Sequence, residues 1–126
     1  MNDAFIDSSV VVSLVLREPT AAAMRRRLAA FNVVYASDLV EAELRSACRR
    51  EQIAVDMRLL RDVEVIFPDR TLRREMERVL EAGYLRGADC FHLATALFLA
   101  RDPSRLTFVT LDAQQREVAK TLGFAT

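Results

Sequence analysis

Four acidic residues in this chain, Asp7, Glu43, Asp89 and Asp112, have placements that could do chemistry together. Asp7 closes the apolar run Ala4-Phe5-Ile6, just before the amphipathic run Val10-Val11-Val12-Ser13-Leu14-Val15-Leu16. Asp112 closes a second apolar run, Leu106-Thr107-Phe108-Val109-Thr110-Leu111. The C-terminal ends of buried strands are where open α/β sheets bind their ligands. Asp89 heads a helix that is apolar almost all round, on a stripe with Leu93, Ala96 and Ala100. A carboxylate there is costly unless something compensates it. Glu43 borders the apolar row Val40, Leu44, Cys48 of its own helix. If the strands are parallel, all four acids reach one sheet edge. Two unit charges ~4 Å apart at an effective dielectric near 20 repel by about 4 kcal/mol. Such a cluster needs raised pKa values or a cation. Oxygen ligands without a His or Cys cluster point to Mg²⁺ or Mn²⁺ rather than Zn²⁺. Carboxylate-held hard ions are a common device for phosphoryl transfer.

Each acid also has a simpler reading. Asp7 could only cap the helix that follows it. Asp89 could be a favourable charge at a helix N-terminus. Asp112-x-x-Gln115 is an N-cap signature, and Glu43 could be a solvated edge residue with its stem over the core. Among the remaining acids, Glu41 lies four before Arg45, as in a helical ion pair. Glu51, Asp56, Asp62, Glu75 and Glu77 sit among arginines and read as solvated faces. His92, the only histidine, lies one helical turn after Asp89. It could serve as a general base; the favoured reading is a packed, hydrogen-bonded core residue. Ser/His/Asp or Cys/His catalysis would have to use this one His without a recognisable nucleophile motif, and is rejected. No Gly-rich phosphate loop is present; Gly83 and Gly87 flank helices.

The elements that must position these residues alternate along the chain. Residues 4–7 read as strand one and 9–16 as a short helix. Glu18-Pro19-Thr20 turns into a helix over 20–30. Val33-Val34-Tyr35 is strand two, and Ser37-Asp38 starts a helix to about Glu51, with Asp38-x-x-Glu41 as a capping box. Residues 53–62 look helical, and Val63–Phe67 is strand three, ended by Pro68. Thr71–Ala82 and Gly87–Ala100 are helices, Leu106–Thr110 is strand four, and Asp112–Leu122 is a last helix ended by Gly123. The final residues could add a fifth strand or a loose tail. This alternation implies right-handed crossovers and a central parallel sheet of four to five strands in an α/β/α sandwich. At 126 residues, without a linker or repeat, residues 1–126 read as one domain.

Composition sets further bounds. No apolar run is long enough to span a bilayer, and no signal peptide is visible, so the cytoplasm is the expected location. Cys48 and Cys90 read as buried thiols rather than a disulfide or a zinc pattern. Zero net charge gives no global steering toward nucleic acid. Lys120 is the only Lys, and Arg25-Arg26-Arg27, Arg45, Arg49-Arg50 and Arg73-Arg74 form local clusters. Arg suits phosphate contact, yet the abundance of Arg and Ala equally fits a GC-rich coding bias.

Phe5-Ile6-Asp7-Ser8-Ser9, Glu43-Leu44-Arg45, Gly87-Ala88-Asp89-Cys90-Phe91-His92-Leu93-Ala94-Thr95-Ala96 and Val109-Thr110-Leu111-Asp112 resemble the four acidic motifs of PIN-domain nucleases. The resemblance covers essentially the whole chain. Within that superfamily it is to the VapC-type toxins of toxin–antitoxin pairs. The first motif often reads Asp-Thr-Ser; Ser8 replaces the Thr and keeps a hydroxyl. The resemblance implies a three-layer PIN-like domain and a metal-dependent endoribonuclease that cuts structured RNA, such as tRNA or rRNA, leaving 5′-phosphate and 3′-hydroxyl ends. It implies that Asp7, Asp89 and Asp112 hold Mg²⁺ or Mn²⁺ directly or through water, and that Glu43 binds metal or orients the attacking water. Ser9 and Thr110 match small hydroxyl positions that could tether metal-bound water or phosphate, or make only local turn bonds. His at position 92 fits the family pattern without a catalytic role. The resemblance also implies a homodimer and a cognate VapB-like antitoxin that blocks the acidic pocket, with a groove offered by the helices at 9–16, 20–30 and 37–51. Two other readings stay open: a PIN nuclease of RNA processing outside toxin–antitoxin systems, and a non-catalytic α/β binding module whose acids cap helices.

Overall fold

Asp3, Ala4, Phe5 and Ile6 are all buried, as a strand covered on both faces requires. The structure is a computed structural model and describes residues 2–126. Its elements run β1 (Asp3–Ile6), α1 (Ser8–Val15), α2 (Ala21–Ala29), β2 (Val33–Ser37), α3 (Val40–Arg50), β3 (Val63–Ile66), α4 (Arg73–Ala82), α5 (Gly87–Leu99), β4 (Leu106–Val109) and α6 (Ala113–Thr121). Short 3₁₀ turns stand at Met57–Leu60 and Pro103–Arg105. The sheet order is β3-β2-β1-β4, all pairs parallel.

Alternation along β1 divides the core into two layers. Ala4 and Ile6 face Val10, Val11 and Leu14 of α1, Met24 of α2 and Val40, Leu44 and Cys48 of α3. Phe5 faces the other way, into a cluster with Val79 of α4, Cys90, Leu93 and Leu97 of α5 and Val118 of α6. Its ring stacks on Phe108, its register partner on β4, with centroids 5.9 Å apart. Aromatic pairs favour this spacing. The expected α/β/α sandwich is thus present. Cys48 and Cys90 are free, buried and in opposite layers.

Several expectations are corrected. Strand two runs on through Ala36 and Ser37, which pair with Val65 and Ile66, so α3 opens only at Val40. The capping box at Asp38 does not form; Leu39 is the N-cap and makes no side-chain cap bond. Residues 53–62 hold one 3₁₀ turn, because Asp56 Oδ1 accepts from Arg58 N and starts the turn there. Glu75 is not on a solvated face. It is buried, and Arg70, whose guanidinium lies over the Phe98 ring, donates to it at 2.5 Å. The C-terminal residues form neither a strand nor a loose tail: Thr107 and Ala125 make one parallel bridge and Phe124 packs into the core.

Candidate acidic site

Parallel pairing of β1 with β4 brings their C-terminal ends together, and Asp7 N donates to Val109 O at 3.0 Å across that seam. Asp7 follows β1 directly and is the N-cap of α1, its Oδ2 accepting from Ser9 N at 3.2 Å. Asp112 caps α6 in the same way, its Oδ1 accepting from Gln115 N at 2.8 Å. The capping readings of both acids are therefore real. They do not exhaust them, because the loops so fixed stand side by side at one edge of the sheet.

Helices α3 and α5 bring the other two acids to that edge. Asp7, Ser8, Ser9, Glu43 and Asp89 line one cleft of about 560 Å³, with the exposed Arg50 and Arg86 also on its walls. Asp112 is not on its wall, but its charge reaches Asp89. Burial pushes the Asp89 carboxyl above the usual range, and the charges of Asp7, Asp112 and Glu43 push it further, against a smaller opposing effect of His92. The Asp89 side chain has no hydrogen-bond donor among the described residues. No Arg or Lys of those residues forms a salt bridge with any of the four acids.

Glu43 is held differently. Its Oε1 accepts from Ser8 Oγ at 2.8 Å and meets His92 Nε2 at 2.5 Å. Among the described residues Oε2 has no protein donor. The His92 hydrogen bond is the largest influence on the Glu43 carboxyl; with the Ser8 bond and the His92 charge it outweighs burial and holds the group below its usual range. His92 itself is fully buried, and its Nε2 also lies 3.5 Å from Asp7 Oδ1. Burial opposes protonation of the ring, but the Glu43 bond and the charges of Asp7, Glu43 and Asp89 win, so its pKa is raised. The packed-histidine expectation holds, yet the partner is a site acid.

Thr110 spends its hydroxyl on the turn that follows it, whereas the Ser9 hydroxyl is engaged across 102 positions of chain. Ser9 Oγ accepts from Leu111 N at 3.3 Å, tying the start of α1 to the loop that follows β4. Thr110 Oγ1 accepts from Asp112 N at 3.1 Å and donates to Gln115 Oε1 at 2.6 Å, while staying 3.5 Å from Asp7 Oδ2. Sequence reading missed Gln115 and Ser37 and gave Ser8 no partner. The Asp112-x-x-Gln115 signature marks Gln115 only as a capping partner, and Ser37 reads only as a helix start; nothing local points either to the site.

The donor set suits a hard divalent cation: carboxylate oxygens, one carboxylate half-buried without a donor, and no Arg or Lys of the described residues in a salt bridge with them, although His92 pairs with Glu43 and lies near Asp7. As the side chains stand, no three carboxylates, imidazoles or thiols among the described residues lie close enough to share one ion. The fit rests on charge and chemistry, not on a preformed coordination sphere.

Two comparisons bear on this arrangement. A family model described as PIN domain matches residues 4–121. The protein named Ribonuclease VapC46 from Mycobacterium tuberculosis (strain ATCC 25618 / H37Rv) is 35% identical over 124 residues, covering 96% of this chain and 93% of that protein.

Proposed function

The chain belongs to the PIN-domain family, and from that premise we propose that it is a VapC-type endoribonuclease toxin, acting as one domain over residues 1–126. It hydrolyses RNA phosphodiester bonds, and tRNA or rRNA is the proposed substrate. The observation that carries this reading is Asp89: half-buried, without a donor, and pushed toward protonation by burial and three other acids. Four carboxylates arranged with so little cationic relief make sense as a cation's seat.

Asp7, Asp89 and Asp112 would hold Mg²⁺ or Mn²⁺ directly or through water, with Glu43 as a further ligand or as the group that orients water. Such an ion, when bound, polarises the phosphodiester and makes water a better nucleophile. The chain's own residues prepare the site. Asp7 and Asp112 are fixed by the helix caps they form, Ser9 ties the start of α1 to the loop after β4, and Thr110 braces the turn before α6. Glu43 keeps Oε1 occupied by Ser8 and His92, which leaves Oε2 to accept a hydrogen bond from water in the cleft and so orient it. In-line attack of that water on phosphorus breaks the P–O3′ bond; the attacking water gives up a proton to solvent and the departing 3′-oxygen takes one up, leaving a 5′-phosphate and a 3′-hydroxyl. Arg50 and Arg86, both exposed, are placed to meet flanking phosphates.

A VapB-like antitoxin is the proposed partner, and a homodimer the proposed assembly. A second cleft of about 580 Å³ beside α1 and α2, lined by Leu14, Arg17, Arg25, Ile53, Asp56 and Leu59, could receive the antitoxin's segment. Among the described residues no helix is long and apolar enough to cross a membrane.

Expression in a host cell tests the reading. Growth should stop, and purified protein should cut RNA only with Mg²⁺ or Mn²⁺. Asp7→Asn should abolish both effects. Unchanged cleavage by Asp7→Asn and Asp89→Asn would mean that the site is misassigned. A small reading frame just upstream, encoding a DNA-binding antitoxin, would separate a toxin from an RNA-processing nuclease.

A further inference from the structure

The one histidine of the chain has both ring nitrogens engaged in a fully buried site. On one side Nδ1 lies 2.7 Å from Ser37 Oγ. On the other, Nε2 lies 2.5 Å from Glu43 Oε1 and 3.2 Å from Ser8 Oγ. With the ring neutral, these contacts fix the direction of the chain of bonds. An ionised carboxylate can only accept, so Nε2 must carry a proton. In the neutral ring Nδ1 is then a bare acceptor, and only a donor can satisfy it. Ser37 can be that donor, because its oxygen already accepts from Leu39 N at 3.2 Å and its own proton is free. Ser37 closes β2, His92 lies on α5, Glu43 on α3 and Ser8 on α1. The strut therefore crosses from the sheet to three helices.

We propose that Ser37 and His92 are positioning residues for Glu43: Ser37 sets the tautomer and orientation of the imidazole, and the imidazole with Ser8 pins Oε1 so that Oε2 faces the cleft. The role assigned to Glu43 rests on the nuclease reading above; the strut itself does not. Partners of this kind, one shell behind a reactive group, typically matter by roughly 10–100-fold in metal affinity or activity.

Because the chain has a single histidine, its ¹⁵N signals can be read without ambiguity in the full-length protein, at a pH where the ring is neutral. The expected spectrum has the proton on Nε2 and a hydrogen-bonded, unprotonated Nδ1. Ser37→Ala should mix the tautomers, and Glu43→Gln should shift the Nε2 signal. In cleavage of a short RNA, Ser37→Ala should lower kcat by roughly 10–100-fold with KM little changed. Ser37→Thr, which restores the hydroxyl, should recover both the spectrum and most of kcat. Circular dichroism and melting confirm that the variants compared are folded. A wild-type ring protonated on Nδ1, or a Ser37→Ala protein whose tautomer is unchanged, would overturn the proposal whatever happens to kcat. Wild-type protein that gives the expected spectra but cuts no RNA would support the strut and sink the nuclease reading instead.

Discussion

Gln115 Nε2 stands 3.5 Å from Asp7 Oδ1, across 108 positions of chain. The same amide donates to the Asp89 carbonyl oxygen at 3.2 Å, and its Oε1 accepts from Thr110 at 2.6 Å. Gln115 is fully buried, so β1, β4, α5 and α6 meet on one side chain beside the acids. The contact with Asp7 is too long to be strong. Its weight lies in placement: a rigid polar plug behind two carboxylates limits where they can relax.

Thr110→Val tests that plug. Valine keeps the shape but leaves Asp112 N without its acceptor and Gln115 Oε1 without its donor, in a position only 2% exposed. Unsatisfied buried groups cost about 1–3 kcal/mol each. With two such groups, urea unfolding should show a loss of about 2–6 kcal/mol with an unchanged slope. A change inside the roughly ±0.5 kcal/mol typical of surface substitutions would mean that the plug does not hold.

Asp89→Asn should raise stability while destroying activity. Burial first, then Asp7, Asp112 and Glu43, hold this carboxyl above its usual value. A raised folded pKa means that the folded protein binds the proton more tightly. Stability is then fully present below the unfolded value, near about 3.9, and is lost as pH rises through the folded value. At neutral pH the ionised carboxylate is a net cost that Asn removes. Metal-free Asp89→Asn should therefore melt higher than wild type at neutral pH, with the gap closing in acid, and its cleavage should fall by more than about 100-fold. A lower melting temperature at neutral pH would reveal a stabilising partner for Asp89 and weaken the cation-seat reading.

Much of this was legible because buried strands and helix stripes write themselves into apolar periodicity. The runs ending at Asp7 and Asp112 read as covered strands, and the parallel pairing of β1 with β4 brings both acids to one edge. Glu43 and Asp89 followed from the faces of their helices. What stayed hidden depends on partners distant in sequence. Ser37-Asp38 has the form of a helix start, but Ser37 pairs with Ile66 in the sheet and turns its hydroxyl to His92, 55 positions on. Tertiary contacts overrode the local cap signal there. Glu75 looked solvated among arginines until folding placed Arg70 between it and the Phe98 ring.

Stability against pH should show a plateau set by the Glu43–His92 pair. The His92 pKa is raised: burial pulls it down, but the Glu43 hydrogen bond and the charges of Asp7, Glu43 and Asp89 pull harder the other way. Its contribution is full below the unfolded value near about 6.5 and is lost as pH rises through the folded one. Glu43 is lowered, chiefly by the His92 hydrogen bond. Its contribution is full above about 4.3 and is lost as pH falls through the folded value. In EDTA, the pair's share of stability should be greatest between about pH 4.3 and 6.5, and His92→Gln should flatten the alkaline side. A proton NMR titration of the single ring should give a value above the free-histidine one. A value below it would show that burial dominates and that a neutral ring faces the Glu43 carboxylate.

A bound divalent ion should stabilise what the carboxylates destabilise. Binding to the folded state alone adds RT ln(1 + [L]/Kd), about 2.7 kcal/mol at a hundredfold excess over Kd. For a chain of this size that is a rise of several degrees in Tm. Mg²⁺ or Mn²⁺ at millimolar concentration should produce it, and EDTA should reverse it. The origin of the shift matters more than its size. Asp7→Asn and Asp89→Asn should each shrink it, because each removes charge from the cleft they share. Asp102→Asn is the matched control: Asp102 accepts from Ser104 N and Ser104 Oγ at a 3₁₀ turn and does not line that cleft. It removes the same net charge from the protein and should leave the metal shift as in wild type. An equal loss in all three variants would trace the stabilisation to general screening of negative charge. An unchanged shift in Asp7→Asn and Asp89→Asn would put the ion elsewhere on the molecule, and the acids at the strand ends would then be helix caps and nothing more.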